Sequence, residues 1–494
     1  MPPPTSRLSK SRFVSGLQCH KLLWWQVHEP DAPELSEVDP ATQFIFDQGH
    51  EVGRRARQYV PGGILIDVPY TERRRRRDET AAALRDGARI LYEPAFEHDG
   101  VLVLADILER RRGGWNLIEV KSTTKVKPEH LPDLAVQAHV LRGAGLAVRR
   151  ADLMHLNRDC RFPDLSNLFT REDLTQEVEE FKDAIPRDIR AQQRMLDGPL
   201  PDVPVGDHCH EPYDCPFLAR CWPAPIPHAI DTLYRLSGPR RDEFEAEGYR
   251  TIGDLPRDAG LTAIQERQRR AVRTKSLIVE PGLADALAQF ERPFAYLDFE
   301  TIAPAIPVWD GCRPYDQVPV QLSVHRESRD GRLTHHSWLA GGPSDPREAL
   351  ARQLIRFTRG AKTILAYNAS FERGCMQRLR EQLPHLAAEL GRVEERIEDL
   401  LPMVRNYVYH PEFNGSFSIK SVAPALVPEL SYDGLEIAEG GAASRQLFTL
   451  LLRSEGMKQG EMAQLRQDLL KYCELDTLAM VELHRALLRQ AAGR

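Results

Sequence analysis

Asp106 and the run Glu119-Val120-Lys121 put two carboxylates and an ammonium where they can share one site. Residues two apart on a strand point to the same face, so Glu119 and Lys121 face together while Ile118 and Val120 face the core. Asp106 falls on the preceding strand of a hairpin, within reach of Glu119. Two carboxylates and a backbone carbonyl make an oxygen-rich site suited to Mg2+ or Mn2+. A cation there would lower the pKa of a water and polarise a phosphoryl group, with Lys121 orienting the water or stabilising charge on phosphorus. Gln137, on the helix that follows, reaches the same place. A surface strand that alternates Glu and Lys outward has the same pattern, so these residues alone do not fix the chemistry.

A second set lies toward the C-terminus. In AYLDFET, Asp298 and Glu300 share one strand face while Leu297 and Phe299 point the other way. In LAYNASFERG, Asn368 lies at a strand end and Glu372 four residues on, at a helix start. In KYCELDTLAM, Tyr472 and Asp476 are spaced to share a helix face. Four acidic groups converging from one strand and two helices can hold a pair of divalent cations, which suits phosphodiester cleavage. Tyr472 would orient the water.

The eight cysteines divide into two groups. Cys209, Cys215 and Cys221 follow a C-x5-C-x5-C spacing, and Cys19 stands near the start in GLQCHKLLWW. Four thiolates, with a proline beside one of them, are the donor set of an iron–sulfur cluster. Zinc competes for the same donors, and His20, His208 or His210 can replace one of them. The short C-x2-4-C pairs usual for zinc are missing. Cys160, Cys312, Cys375 and Cys473 read as small buried hydrophobes.

The elements that must position these residues read as α/β. Strands are expected over 101–108 and 115–121 around a turn at 111–114, then a helix over 133–142 with Pro132 near its start. Further on, strands are expected at 294–299 and 363–367, and a long amphipathic helix at 465–488. Length and pattern divide the 494 residues into regions 1–227, 228–290 and 291–494. The middle region is helical, either a helix-hairpin-helix or a plain linker. The net charge of −6 means that any nucleic-acid binding must be local rather than by bulk charge. No apolar run approaches the roughly 20 residues of a membrane span. Residues 1–10 carry no apolar signal region, and the cytoplasm is the expected compartment. The arginines at 73–77 read as a solvated stretch leading into a helix at Thr80. Trp24, Trp25 and Tyr213 are expected to pack around the cysteines rather than stack on bases.

The stretch carrying Asp106, Glu119, Lys121 and Gln137 resembles the RecB-like branch of the PD-(D/E)xK nucleases, which includes the CRISPR-associated RecB-like exonucleases. The resemblance implies a restriction-endonuclease-like fold for 1–227, with metal on Asp106 and Glu119 and Lys121 assisting catalysis. It also implies that His50, in Gly49-His50-Glu51, is a further metal ligand. Leu141 stands where a tyrosine often follows the glutamine. Iron–sulfur members of that branch place one cysteine before the nuclease core and three after it, so a 4Fe-4S cluster on Cys19, Cys209, Cys215 and Cys221 would clamp the two ends of the domain.

The C-terminal motifs resemble the DnaQ-like (DEDD) 3′–5′ exonucleases with a Y-x3-D third motif, which implies a ribonuclease H-like fold over 291–494. Metal would sit on Asp298, Glu300 and Asp476, with Glu372 in place of the usual Asp. Across most of its length the chain is similar to a bacterial family that joins these two domains, through YLDFETIAPAIPVWDGCRPYDQVPVQLSVH, AYNASFERG, HPEFNGSFSIKSVAPALVPELSY and YCELDTLAMV. Lys420 and Ser421 are expected near a nucleic-acid backbone. The expectation is a metal-dependent nuclease acting on DNA, in repair, recombination or defence. A binding scaffold with inactive sites and an RNA 3′ exonuclease are the competing readings.

Overall fold

The computed structural model describes residues 8–36, 39–431, 437 and 439–493. Tyr432, the end of one of the quoted stretches, and most of residues 1–10 lie outside them. The chain is mixed α/β and forms two compact units, one of residues 1–224 with 304–316, the other of 225–303 with 317–494. The middle region 228–290 therefore belongs to the second unit. Among the described residues, no helix is long and apolar enough to cross a membrane.

The first unit is built on a six-stranded sheet whose strands adjoin in chain order. They are β1 (Ile64–Leu65), β2 (Ile90–Tyr92), β3 (Ile107–Arg111), β4 (Gly114–Lys121), β5 (Val148–Leu156) and β6 (Phe169–Asp173). β3 and β4 form an antiparallel hairpin with Ile107 opposite Ile118, and β4 runs parallel to β5. The expected strand 101–108 is two strands. Val101–Leu104 pairs into a separate small sheet with Ala95–His98 and Leu8–Ser9, and the chain bends at Asp106 before β3 begins. One apolar run thus serves two sheets, and no alternation of residue types marks the break.

Helices α1 (Lys10–Gln18), α2 (Pro40–Ala56) and α3 (His130–Gly143) flank the sheet. The α3 residues Leu134, Val136, Val140 and Leu141 join a core with Leu117, Val103 and Leu153. Ile118 faces a different cluster with Ala56 of α2, Ile107 and Met154. Both faces of β4 are thus covered, and its two-residue period sends Leu117 and Glu119 to the α3 side. Gly145, at a φ of 91°, lets the chain leave α3 in the left-handed conformation that glycine adopts without steric cost.

In the second unit a five-stranded sheet contains β7 (Phe294–Ile302), β8 (Val318–Glu327), β9 (Leu333–Leu339), β10 (Thr363–Ala366) and β11 (Ile397–Asp399), in the order β9-β8-β7-β10-β11. β7 is antiparallel to β8 and parallel to β10, and β10 is parallel to β11. Helices α4 (Ser370–Gln382), α5 (Ile419–Leu426) and α6 (Gln459–Ala492) bring further residues to β7. Leu297 and Phe299 are buried in a core with Leu322, Leu354 and Met376, as the alternation of β7 predicts. The middle region has its own small core of Ile230, Leu233, Phe244, Ile252 and Leu255. It contains helices Gly238–Ala246 and Ala263–Thr274 with single 3-10 turns between the apolar residues.

Candidate functional site

Asp106 sits at the bend before β3, where its Oδ2 accepts the Val120 N–H at 2.7 Å. That bond fixes its carboxylate beside Glu119, which is 1% exposed. Glu119 Oε1 lies 2.8 Å from Lys121 Nζ and 2.8 Å from Lys10 Nζ. Gln137 Nε2 donates to Glu119 Oε2 at 2.8 Å and to the Asp133 carbonyl at 3.2 Å. Asp133, one turn before Gln137 on α3, pairs with both Lys10 and Lys121. Asp106, Glu119, Lys121 and Gln137 are therefore together, as expected, but Lys10 and Asp133 belong to the same constellation. Lys10 lies far from the motif in sequence, and Asp133 carries no signal beyond its spacing of four from Gln137.

The electrostatics follow from the burial. Burial and the neighbouring Glu119 charge push Asp106 up to about 7. Burial also raises Glu119, but the Lys10 and Lys121 charges and hydrogen bonds outweigh it and hold the carboxyl well below the usual range. Burial disfavours the Lys10 ammonium, yet Asp133 and Glu119 keep its pKa above the ordinary lysine value.

His50 is exposed on α2. No group of three close ligand atoms among the described residues includes it. The helix instead turns Gln48 inward, where its Oε1 accepts the Ala305 N–H at 3.2 Å. Leu141 is fully buried in the α3 core and faces no solvent. In the arginine run, which is helical from Arg73, Arg76 is buried on the Glu93 carboxylate at 2.9 Å and on the Val68 carbonyl.

In the second unit Asp298, Glu300 and Asp476 each offer a carboxylate oxygen within 4.8 Å of the other two. β7 supplies the first two on one face, and α6 supplies Asp476. Three buried polar residues hold α6 in place. Gln321 Nε2 donates to the Leu469 carbonyl at 2.8 Å, and Ser323 and His325 each lie 2.8 Å from the Thr477 hydroxyl. These two fixings bracket Tyr472, Cys473 and Asp476. Tyr472 OH accepts from Lys420 Nζ at 3.0 Å, and the Cys473 thiol donates to Asp298 Oδ2 at 3.3 Å.

Glu372 lies on the first turn of α4 and is 3% exposed, with no hydrogen-bond partner for its Oε2 among the described residues. The preceding Asn368 has a φ of 66° and donates its N–H to Asp399 Oδ1 at 2.9 Å. Burial and the Asp298 charge push Glu372 up to about 9. Burial and the Asp476 charge push Asp298 up to about 8, and burial with Asp298 and Asp476 raises Glu300 as well. A buried set of oxygen donors with repelling charges and an orphaned carboxylate oxygen fits hard divalent cations such as Mg2+ or Mn2+. Lys420 was expected at a nucleic-acid backbone, and here its charge also reaches Asp298 and Glu300. Ser421 lies in the first turn of α5, which Ser418 caps, its Oγ accepting the Ser421 N–H at 3.3 Å.

Cys19, Cys209, Cys215 and Cys221 line one cavity with Leu22, Trp25, Val205 and Phe217. Burial pushes the Cys215 thiol up to about 11, with smaller contributions from the other three sulfurs. Tetrahedral zinc–thiolate bonds of about 2.3 Å put sulfurs about 3.8 Å apart. Zinc and an iron–sulfur cluster both take four such thiolates. Gln18 Nε2 ties the two ends of this region by donating to the His208 and Tyr213 carbonyls, each at 2.8 Å. His208 borders the cavity, whereas His210 pairs with Asp214. Trp25 packs on Phe217, but Tyr213 is 63% exposed and does not pack around the cysteines. Cys160, Cys312, Cys375 and Cys473 are buried, as their apolar surroundings predict.

Residues 295–418 match the family model described as "Domain of unknown function (DUF2779)". The matched stretch carries Asp298, Glu300 and Glu372 and stops short of Lys420 and α6. The chain is also similar to the "Uncharacterized protein MG366 homolog" of Mycoplasma pneumoniae (strain ATCC 29342 / M129 / Subtype 1), 27% identical over 209 residues. That similarity covers 38% of this chain and 31% of the relative, so it spans about a third of the relative's length.

Proposed function

We propose that the protein is a metal-dependent nuclease with two hydrolytic sites that acts on DNA. The reading rests above all on the second unit, where Asp298, Glu300 and Asp476 converge within 4.8 Å. Bound Mg2+ or Mn2+ would supply Lewis-acid stabilisation of the phosphodiester and a more acidic water. The residues do the rest. Asp298, Glu300, Asp476 and the buried Glu372 hold the charge. Tyr472, fixed by Lys420, orients the attacking water, and the Lys420 ammonium faces the phosphate. The sheet order β9-β8-β7-β10-β11, with β8 alone running against the other four strands, supports a ribonuclease H-like, DnaQ-like reading of this unit.

In the first unit, Asp106 and Glu119 hold the metal, Lys121 stabilises the developing charge, and Gln137 orients Glu119. The β3–β4 hairpin, the parallel β4–β5 pair and α3 between them support the RecB-like PD-(D/E)xK reading. The four cysteines lining one cavity support a 4Fe-4S cluster with a structural role.

A second reading has a specific observation behind it. Glu119 is already engaged by two lysines, and among the described residues no group of three close ligand atoms includes it and Asp106, which favours a first unit that binds nucleic acid without cutting it.

The test uses protein purified without oxygen and end-labelled single- and double-stranded DNA and RNA with Mn2+ or Mg2+. Asp298→Ala is expected to remove trimming from 3′ ends, and Asp106→Ala the remaining cleavage. If both variants cut every substrate like the wild type, the proposal fails. Cleavage lost in Asp298→Ala alone selects the binding-scaffold reading of the first unit. Absorbance near 400 nm is expected from the cluster, and a colourless protein containing zinc would overturn that assignment.

A further inference from the structure

His98, Asp99 and His139 form a second kind of ligand group in the first unit, separate from Asp106 and Glu119. One donor atom from each lies within 4.8 Å of the other two. His98 ends the strand Ala95–His98, Asp99 starts the turn to Val101–Leu104, and His139 projects from α3. His139 Nε2 is 2.9 Å from Asp99 Oδ2, His98 Nε2 is 3.4 Å from Asp99 Oδ1, and the two imidazole centroids are 5.6 Å apart. Donors on one tetrahedral ion with bonds of about 2.0–2.1 Å stand about 3.3 Å apart, so these spacings match a single ion.

The surroundings hold the group in this arrangement. Asp99 takes a φ of 50°, the left-handed turn conformation that Asp tolerates, and its carbonyl accepts from Gln193 Nε2. On the α3 side, Gly143 leaves the space in which the His98 ring sits, because a Cβ there would stand 1.9 Å from His98 Cδ2. Any larger residue at 143 would expel the imidazole. His139 is two positions from Gln137, which places it roughly 200° around the helix, on the far side from Gln137 and Asp133.

We infer that His98, Asp99 and His139 bind a borderline divalent transition metal of the zinc, nickel or cobalt kind, which staples α3 to the Ala95–Leu104 hairpin. Two imidazoles and one carboxylate prefer such ions to Mg2+, whose sites are built from oxygen alone. The three ligands leave a fourth position to water. The metal fixes from behind the helix that carries Asp133 and Gln137.

The experiment uses the full chain after dialysis against a chelator, titrated with Co2+ in the presence of excess Mg2+. Wild type is expected to bind one more equivalent than His139→Gln or Asp99→Asn, with d–d absorption that lacks a thiolate charge-transfer band. Zn2+ is expected to slow amide exchange across residues 130–143 in wild type and not in either variant. Melting without metal checks that each variant folds. If His139→Gln does not, His98→Gln gives the same comparison from the strand side. Equal Co2+ stoichiometry in wild type and a folded variant overturns the inference. So does displacement of the extra equivalent by Mg2+.

Discussion

In the first unit Glu119 stands 2.8 Å from each of two lysines, with Asp133 sharing both cations. In the second, Asp298, Glu300 and Asp476 crowd together, and Lys420 reaches them while bonded to Tyr472. Both sites bury carboxylates, but one neutralises them with cations of its own and the other leaves them repelling. The buried Glu119 is held deprotonated, whereas Asp298 and Glu372 are pushed up to about 8 and 9. A metal entering the first site must compete with ammonium groups. A metal entering the second relieves repulsion already present, which makes the second site the better prepared of the two.

Asp298→Asn is expected to have the largest effect on the second site. It removes the carboxylate that neighbours Glu300, Glu372 and Asp476, and the loss of several kcal/mol of transition-state stabilisation corresponds to a fall on the order of 10²–10³-fold in 3′ trimming. Metal-free Asp298→Asn is expected to melt above the wild type, because a repelling charge is gone. A variant that trims normally, or that melts lower, contradicts the account of this site.

The first unit answers to the opposite substitution. Lys10→Met leaves Glu119 and Asp133 with Lys121 alone. Removing one partner of a buried charge set costs about 3 kcal/mol, the low end of the usual range because Lys10 keeps some solvent contact. Urea unfolding of the metal-free protein measures it. A midpoint within error of the wild type would mean that Lys10 does not neutralise this site.

What was legible in the sequence follows from the range of each signal. The two-residue period of β4 and β7 showed which carboxylates share a face, and the four-residue spacing of Tyr472 and Asp476 did the same for α6. Those are local rules. Lys10 meets Glu119 across 109 positions, and nothing in the residues near either one announces the pairing. The break at Asp106 was hidden because apolar residues flank it on both sides, although Val101–Leu104 and Ile107–Arg111 serve different sheets. His50 was placed by a family resemblance, and α2 turns it outward. Gln321, Ser323 and Thr477 were readable in principle, since polar residues inside apolar elements must find partners when buried. Their partners are each other and α6, and that needs the fold.

The two pKa directions give a third test, in which pH separates the units. Asp298 and Glu372 are raised, so their contribution to stability is full below pH ~4 and is lost as pH rises through about 8 and 9. Glu119 is lowered, so its contribution is present above pH ~4 and lost as pH falls below that. Metal-free protein is expected to lose melting temperature between pH 6 and 9, in steps of about 1 kcal/mol per unit or more. A fixed Mn2+ concentration, set at 100 times the Kd at pH 6, should restore about 2.7 kcal/mol there and more at pH 8.5. An Mn2+ shift that is the same at both pH values would show that the ion binds somewhere other than this protonated set.

The smallest effect expected is that of Tyr472→Phe, and it divides positioning from folding. The ring is 2% exposed and packs against Lys420, whose Nζ lies 4.9 Å from the ring centroid, so Phe keeps the packing and loses only the hydroxyl. The hydroxyl accepts from Lys420 and hydrogen-bonds toward Asp476, whose charge with burial holds the phenol protonated. Deleting it costs about 1 kcal/mol of stability. If Tyr472 orients the attacking water, 3′ trimming falls about tenfold while KM for the nucleic acid stays the same, since the substrate contacts are untouched. A rise in KM with kcat unchanged would instead place the hydroxyl against the bound strand. The ammonium of Lys420, freed from its phenol, would then carry the positioning that the second unit assigns to the pair.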